Sequence, residues 1–357
     1  MLSLTPNNSL EIDFLAVGEG SRSGDAIAMR YGNLSGPRAE QTVVIIDGGT
    51  KDSGQQLIEH VQHHYATNEV DIVFSTHADI DHVSGLTVVL EGLGVKTLAM
   101  HQPWNHAPAI CDLFEGRPTT AHLKAKLQKS LSIAREVETI AKRRGIPIIE
   151  PFAGVGNQVL KVLGPSKAYY QLLLADFQAT PEPASGIAEL FAKATQKVSD
   201  VISYAAESLN IETLKDDGVT SSENNSSVIL LVQLPTYKFL FTADAGISAL
   251  TQAADFAAIQ GWDLSALDAW QIPHHGSKRN LGPTILNRIK GKQGLISAAP
   301  EGAPKHPAKK VTNALIRRGT GVFATQGTGF LHRYNTPSRL GWTRNIEPIP
   351  FYNQVEI

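Results

Sequence analysis

Residues 76–82 read THADIDH, and this stretch decides the fold. Four of its side chains can bind a metal ion, namely His77, Asp79, Asp81 and His82. The preceding residues 71–75 (DIVFS) predict a buried strand, and the following residues 83–91 predict a helix. A loop at the carboxyl end of a strand can direct several side chains into one concavity of an α/β sheet. The spacing therefore predicts a metal site at a sheet edge. An acidic helix-capping turn, the alternative, does not need four such side chains.

Two other predicted strands also end in residues that bind metals. Residues 239–246 (FLFTADAG) form an apolar strand that ends in Asp244, and residues 270–277 (WQIPHHGS) end in His274 and His275. Asp244 by itself could equally be a helix N-cap, and His275 is only slightly favoured over His274 as a ligand. Together, the three strand ends predict one metal centre at the place where they meet.

The composition is that of a globular protein. The chain has 357 residues, of which 42% are hydrophobic, and this excludes intrinsic disorder. No apolar run reaches the ~18–20 residues that a membrane-spanning helix needs, and the N-terminus lacks the features of a secretory signal. Cys111 is the only cysteine, so no intrachain disulfide can form. These observations predict a soluble protein of a reducing compartment, the cytoplasm, without a membrane partner.

The order of predicted strands and helices indicates an α/β protein. Three short strands separated by glycine turns fill the first 50 residues, and strands then alternate with helices. Two stretches, 104–145 and 166–223, interrupt this alternation as mainly helical insertions. The first predicts one basic helix over 122–144. The second predicts a helix over 187–202 that leads into a polar loop over 215–225.

The charge is unevenly distributed along the chain, although the formal net charge is only −2. Residues 1–116 carry 15 acidic and 5 basic side chains. Residues 117–145 carry 8 basic and 2 acidic side chains, and residues 278–318 carry 10 basic and 1 acidic side chain. Clustered bases suit a polyanionic substrate, although solvated helix faces would produce the same pattern.

The motif from His77 to His82 resembles the HxHxDH motif of the metallo-β-lactamase fold, with aspartate in place of the second histidine. Beyond it, the chain is similar to the soluble metallo-β-lactamase domain of ComEC-type DNA-uptake proteins. The matching segments are 14–20 (FLAVGEG), 24–25 (GD), 46–49 (IDGG), 85–86 (GL), 224–227 (NNSS), 241–244 (FTAD), 273–277 (PHHGS) and 305–307 (KHP). The resemblance covers about residues 10–335, apart from the two insertions.

The resemblance implies an αββα sandwich, formed as a single domain over residues 1–357, with a hydrolytic site for two divalent metal ions. His77 and Asp79 would hold one ion, and Asp244 would bridge to the other. The second ion would be held by Asp81, His82 and His275. This ligand set is rich in carboxylates, which extends the expected metals from zinc to manganese. Two such ions make a bound water reactive at neutral pH.

One ligand of the family's pattern is missing, because Glu223 and two asparagines stand where its third-motif histidine would lie. His306, His101 or water could complete the first ion's coordination, and His306 is favoured because a His-Pro pair occurs there in ComEC-like sequences. His101 is more often an ordinary core or surface histidine, as is His106. Asp47 is expected either to orient a ligand histidine or to close a glycine turn.

The predicted catalytic residues are Asp81, His274 and His306, of which either histidine could protonate the leaving group. The leading hypothesis is a phosphodiesterase or nuclease that acts on nucleic acid or nucleotides. Its predicted phosphate contacts are Ser277, Lys278 and Arg279. One alternative is a hydrolase of a lactone, ester or β-lactam, which would need an apolar pocket. Another is a binding or signalling subunit with an incomplete metal site, and the insertions could bind a partner protein.

Overall fold

Two mixed β-sheets lie face to face in the computed structural model, with helices on the outer side of each. The structure describes residues 8–18, 24–178, 180, 204–300, 306–342 and 346–356. The described helices are α1 (Lys51–His64), α2 (Ile80–Gly92), α3 (Ala107–Ile110), α4 (Thr120–Ser130), α5 (Ser132–Arg143), α6 (Lys167–Leu174), α7 (Ser222–Asn225), α8 (Ile247–Ile259), α9 (Pro283–Arg288) and α10 (Lys309–Arg317). None of the helices in the described ranges is long and apolar enough to span a membrane.

The first sheet has seven strands and contains the N-terminal meander. In spatial order these are β16 (Phe330–Tyr334), β1 (Ser9–Phe14), β2 (Ala26–Gly32), β3 (Gln41–Gly48), β5 (Ile72–Ser75), β7 (Leu98–Met100) and β8 (Ile148–Ile149). The pairs from β16 to β3 are antiparallel, and those from β3 to β8 are parallel. A short parallel pair, β4 (Glu69–Val70) and β6 (Gly94–Val95), lies apart from this sheet.

The second sheet has six strands and a similar division. In spatial order these are β15 (Gly321–Ala324), β14 (Gly291–Ile296), β13 (Leu267–Gln271), β12 (Tyr237–Phe241), β11 (Ile229–Leu234) and β9 (Leu160–Gly164). The pairs between β12 and β15 are parallel, whereas β11 pairs antiparallel with both β12 and β9. A separate ribbon pairs β10 (Tyr204–Ala206) with β17 (Gln354–Glu356).

The strands are buried on both faces, which explains their continuous apolar runs. In β3, Val43 and Ile45 pack toward the helices of the first sheet, while Val44 and Ile46 pack against the second sheet. The middle core joins residues such as Phe14 of the first sheet to strands β11 and β12. A third cluster lies between the second sheet and helices α8, α9 and α10. These four layers confirm the expected αββα architecture.

Two local predictions need correction. The predicted helix over 122–144 is two helices, because Leu131 leaves helical geometry (φ −101°, ψ 48°) between α4 and α5. The polar loop predicted over 215–225 ends in the helical turn α7, which Ser221 caps through its hydroxyl. The sequence does not predict strand β9. The helix predicted over 187–202 lies outside the described residues.

Candidate metal centre

Four imidazole rings converge on the carboxylate of Asp244. The Nε2 atoms of His82, His274 and His77 lie 3.5, 3.6 and 3.9 Å from Asp244 Oδ2. The Nε2 atom of His275 lies 3.7 Å from the other oxygen, Oδ1. The structure therefore brings together four predicted ligands, His77, His82, Asp244 and His275, and adds His274 to them.

The three strand ends meet here because the parallel halves of the two sheets deliver them to one edge. His77 follows β5, Asp244 follows β12, and His274 follows β13. A hydrogen bond of 3.0 Å from the Val228 amide to the Thr76 carbonyl joins the two sheets beside the site. The carboxyl ends of parallel strands are the usual place for ligand-binding residues in such sheets.

Other hydrogen bonds fix how the rings face. Nδ1 of His82 lies 2.9 Å from Asp47 Oδ2, and Asp47 also accepts from the amide and hydroxyl of Thr76. Nδ1 of His275 lies 2.9 Å from the Ser297 carbonyl oxygen and must donate to it. Because Nδ1 of His82 and of His275 is hydrogen-bonded in this way, Nε2 of each ring faces Asp244. Asp47 therefore contacts His82 in the way expected of a residue that orients a ligand histidine.

The backbone of the site adopts left-handed conformations that non-glycine residues rarely take. His274 and His275 have φ values of 48° and 56° in the turn Pro273–Gly276, and Ala243 and Asp47 have values of 44° and 55°. Such conformations cost on the order of 1 kcal/mol each and persist where the surroundings hold them. Their concentration around one carboxylate indicates a functional site.

The charges at the site stabilise the ionised form of Asp244 and the protonated form of His82. Burial opposes ionisation of Asp244, but His274 and His82 outweigh it and hold the pKa of this carboxyl well below its usual range. Burial also opposes the charged form of His82, yet Asp244 and Asp47 raise its pKa well above the usual range. Burial lowers the pKa of His275 to about 3, so that ring is neutral.

The donor atoms fit a divalent cation. His77 Nε2, His82 Nε2 and Asp244 Oδ1 are buried and have no hydrogen-bond partner among the described residues, although buried polar atoms are nearly always paired. Two ligand atoms bonded to one ion can lie at most ~4.2 Å apart, because each bond is about 2.1 Å. The separations of 3.5–3.9 Å between the imidazole nitrogens and Asp244 meet this limit.

Two sets of three donor atoms within the described ranges lie close together. Those of His82, Asp244 and His275 lie within 4.8 Å of one another, as do those of Asp47, His77 and His82. In the second set, however, the Asp47 oxygens already accept hydrogen bonds from Thr76 and His82. We therefore assign Asp47 to orientation and the set around Asp244 to the ion.

Asp79 lies at the side of this cluster that opens to solvent, and neither of the predicted ligands Asp79 and Asp81 belongs to the two sets of donor atoms within the described ranges. Asp79 Oδ2 is 3.7 Å from His77 Nε2, and the Asp79 side chain is 40% exposed. Asp81 is in the first turn of α2, and both aspartates line a groove of about 570 Å³. The other walls are residues 130–133, at the break between α4 and α5, together with Gln178, Ser221 and Glu223. Both insertions thus contribute to the groove.

The remaining histidines lie at different distances from the centre. The ring of His306 is 5.9 Å from that of His274 and 6.3 Å from that of His275, and burial lowers its pKa to about 4. His101 stacks on Tyr170 at 4.4 Å, and lines a small cavity together with His77. His106 is held away from the cluster by Glu150, whose Oε1 is 2.9 Å from its Nε2.

The predicted phosphate contacts follow the two histidines of the Pro273–Gly276 turn. Ser277 is buried and accepts a hydrogen bond from the Arg279 amide, whereas the Arg279 side chain is exposed. Much of the basic segment 278–318 is neutralised within the protein. The acidic partners of Arg288, Lys292, Arg317 and Arg318 are Asp255, Asp268, Glu207 and Glu212. This pairing weakens the charge argument for a long polyanionic substrate.

Several residues around the site carried no signal in the sequence. Asn280 contacts His274, Gln271 accepts from the Thr242 and Ala243 amides, and Ser297 contacts His275 through its backbone. A backbone carbonyl is the same in every residue type. Asn224 differs from these residues, because it lies in the motif NNSS that the sequence resemblance already includes.

Comparisons with known proteins agree with this architecture. Residues 38–110, which include the motif from His77 to His82, match the family model of the metallo-beta-lactamase superfamily. ComE operon protein 3 of Bacillus subtilis (strain 168) is 22% identical over 345 residues, which are 93% of this chain and 34% of that protein. The chain thus spans about a third of the length of this curated relative.

Two solved structures show the extent of the likeness. The metallo-beta-lactamase fold protein YhfI from Bacillus subtilis has 9% identity and a TM-score of 0.42, covering 92% of this chain and 100% of its own. Zn²⁺-bound PqqB from Methylobacterium extorquens has 11% identity and a TM-score of 0.43, covering 90% and 99%. The chain has the metallo-β-lactamase fold. As its motifs indicated, it is similar to ComEC-type proteins.

Proposed function

We propose that the protein is a metal-dependent hydrolase that cleaves phosphodiesters, with nucleotides or nucleic acid as substrates. The observation that carries this proposal is the convergence of four imidazole nitrogens on the Asp244 carboxylate, at 3.5–3.9 Å. When bound there, a pair of zinc or manganese ions would supply Lewis acidity and a water that is reactive at neutral pH.

The chain's own residues would hold the ions and move the proton. Asp244 and the four imidazoles form the inner set, and Asp79, which lies beside His77, extends it toward the groove. Because burial lowers the pKa of His306 to about 4, its ring is neutral before the reaction, and we propose it as a proton relay: one ring nitrogen gives its hydrogen to the leaving group while the other takes one from solvent. Its ring lies next to His274 and is not fully buried, so it can exchange protons with solvent. His274 is less suited to this role because its Nε2 atom faces Asp244.

The groove beside the centre is the proposed place for the substrate. Its walls carry the carboxylates of Asp79, Asp81 and Glu223 as well as three serine hydroxyls, so an anionic phosphodiester would bind there only with its charge neutralised by the bound metal ions. A volume of about 570 Å³ suits a substrate of nucleotide size. Arg279, exposed beyond the His275 turn, is the proposed contact to a phosphate oxygen, with Ser277 and Lys278 beside it.

The decisive assay pairs two chromogenic substrates with two variants. Protein loaded with Mn²⁺ or Zn²⁺ is expected to cleave bis-p-nitrophenyl phosphate and not a chromogenic lactone. Asp244→Asn should lower kcat/KM by at least ~100-fold and reduce the bound metal measured by elemental analysis, because it removes the charge that the imidazoles surround. Asp81→Ala is also expected to abolish hydrolysis.

The outcomes separate the competing functions. Asp268→Asn is a matched control, since Asp268 pairs with Lys292 away from the site, and it should keep full activity. Preferential cleavage of the lactone would favour the carboxyl-ester hydrolase. Less than one metal ion per chain, with turnover of neither reporter, would favour the binding subunit instead. Full activity of Asp244→Asn would refute the assigned site.

A further inference from the structure

One fully buried carboxamide, that of Asn280, connects two members of the metal centre. Its Oδ1 atom lies 2.9 Å from Nδ1 of His274. Its Nδ2 atom donates to the backbone carbonyl of Asp244 at 2.8 Å and lies 3.4 Å from that of Ala245. The side chain is 0% exposed, so water cannot replace either contact.

The chemistry of these contacts determines the tautomer of His274. The carbonyl oxygens of Asp244 and Ala245 can only accept hydrogen bonds, so the amide end that faces them must be the NH₂ group. The end that faces His274 is therefore the oxygen, and Nδ1 must carry the hydrogen. In the neutral ring, Nε2 then presents a lone pair, 3.6 Å from Asp244 Oδ2.

The second amide near this ring does not serve the same purpose. Asn224 Nδ2 donates one of its two hydrogens to the Thr220 hydroxyl at 2.8 Å and lies 3.2 Å from His274 Nδ1, farther from it than Asn280 Oδ1 does. His274 Nδ1 cannot accept from Asn224 while it carries a hydrogen. Two donors do not form a hydrogen bond, so only Asn280 offers the acceptor that the Nδ1 hydrogen needs.

We propose that Asn280 is a positioning residue, which fixes the Nδ1–H tautomer of His274 and holds its Nε2 atom and the Asp244 carboxylate toward the same cation. This inference rests on the metal centre of the proposed function, in which His274 is one of the four imidazoles. His274 adopts a left-handed backbone conformation (φ 48°), and the hydrogen bond to Asn280 helps to hold the residue in it. One side chain thereby sets both the orientation of the ring and its distance from the Asp244 loop.

The test compares the loss of two buried asparagines, only one of which is at the site. Asn313 is also 0% exposed and bonds to Glu207 and to the Tyr352 backbone, so Asn313→Ala is the matched control for loss of a buried carboxamide. We expect Asn280→Ala to raise the Kd for Zn²⁺ by about 10–100-fold in competition with a chelator. Asn313→Ala should lower Tm and leave this Kd unchanged.

A second readout uses the metal-free protein. Long-range ¹H–¹⁵N spectra of the imidazole rings, assigned with His274→Gln, should show the Nδ1–H tautomer in the wild type and its loss in Asn280→Ala. The inference is overturned if Asn280→Ala keeps that tautomer or the wild-type Kd, or if Asn313→Ala weakens Zn²⁺ binding equally. Neither readout measures hydrolysis, so failure of the proposed reaction would be seen separately.

Discussion

The buried histidines differ in what their ring nitrogens contact. His82 and His275 engage Asp47 and the Ser297 carbonyl through Nδ1, so each turns Nε2 toward Asp244. His101 instead lies between Phe152 and Tyr170, at 4.6 and 4.4 Å, and neither of its nitrogens has a partner among the described residues. Burial lowers the pKa of His101 to about 3. Its packing is that of an aromatic core residue, which leaves it neutral at physiological pH.

The His101→Phe variant should therefore change how stability depends on pH. In the unfolded chain a histidine binds its proton near pH 6.5, whereas in the folded protein His101 does so only near pH 3, so protonation favours unfolding. Between pH 7 and pH 5 the wild type should lose about 2 kcal/mol more stability than the variant. Urea unfolding with a chelator present measures this difference. The exposed His122→Phe variant is the control, and identical losses in wild type and His101→Phe would refute the argument.

Helix α2 owes its position to two close glycine contacts. A Cβ on Gly85 would lie 1.9 Å from the Gly48 carbonyl oxygen and 2.5 Å from that of Thr50. The Gly85 amide also donates to the Gly49 carbonyl at 2.9 Å. This close approach allows α2 to pack directly against the end of β3, where Asp47 contacts His82 in the first turn of α2. Gly48, Gly49 and Gly85 thus affect the metal centre indirectly, because they determine where α2 lies.

We expect Gly85→Ala to displace α2, lowering the free energy of unfolding by about 3 kcal/mol and weakening metal binding as well. Gly94→Ala is the matched control, because the nearest atom to its added Cβ, apart from chain neighbours, would be at 3.5 Å, an ordinary contact. Denaturant unfolding and chelator competition measure the two effects. If the two alanine variants behave alike, the close approach at Gly85 does not determine the helix position.

At the scale of the whole molecule, the candidate metal centre and the basic side chains are arranged differently. The centre lies where two sheets present their parallel strand ends to one another, joined by the Val228–Thr76 hydrogen bond. Several cations of the two basic segments form ion pairs with nearby carboxylates. In the first insertion, Arg135 and Lys142 both contact the buried Glu138, and Arg143 contacts Glu91. Pairs of this kind neutralise charge locally and leave less of it for a polyanion.

Salt dependence tests this distribution of charge. Raising KCl from about 50 to 200 mM should change kcat/KM for bis-p-nitrophenyl phosphate by less than about threefold, because few counterions are displaced by a small diester. Binding of a long oligonucleotide to a continuous basic track would instead weaken by about 10³-fold or more over this range. Fluorescence anisotropy with a labelled oligonucleotide provides the comparison. A loss of that size would support the nuclease form of the proposal.

The fold class and the core of the site were predictable from local sequence. The buried strand before THADIDH, the strand before Asp244 and the strand before His274 are each apparent within about ten residues, and parallel strand ends meet by the rules of α/β sheets. The break at Leu131 was not predictable, because no glycine or proline marks it and its effect is to shape a groove between distant loops.

The residue types alone determined that a carboxylate and several histidines would meet at one sheet edge, since ligand identity and strand ends are local properties. Only the tertiary structure decided which nitrogen of each ring faces Asp244, because Asp47 and the Ser297 carbonyl reach those rings from positions remote in sequence. The tertiary structure also determined that Arg317 and Arg318 form ion pairs with Glu207 and Glu212, about a hundred residues away in the sequence. Charge counts and spacing contain no information about such long-range pairing.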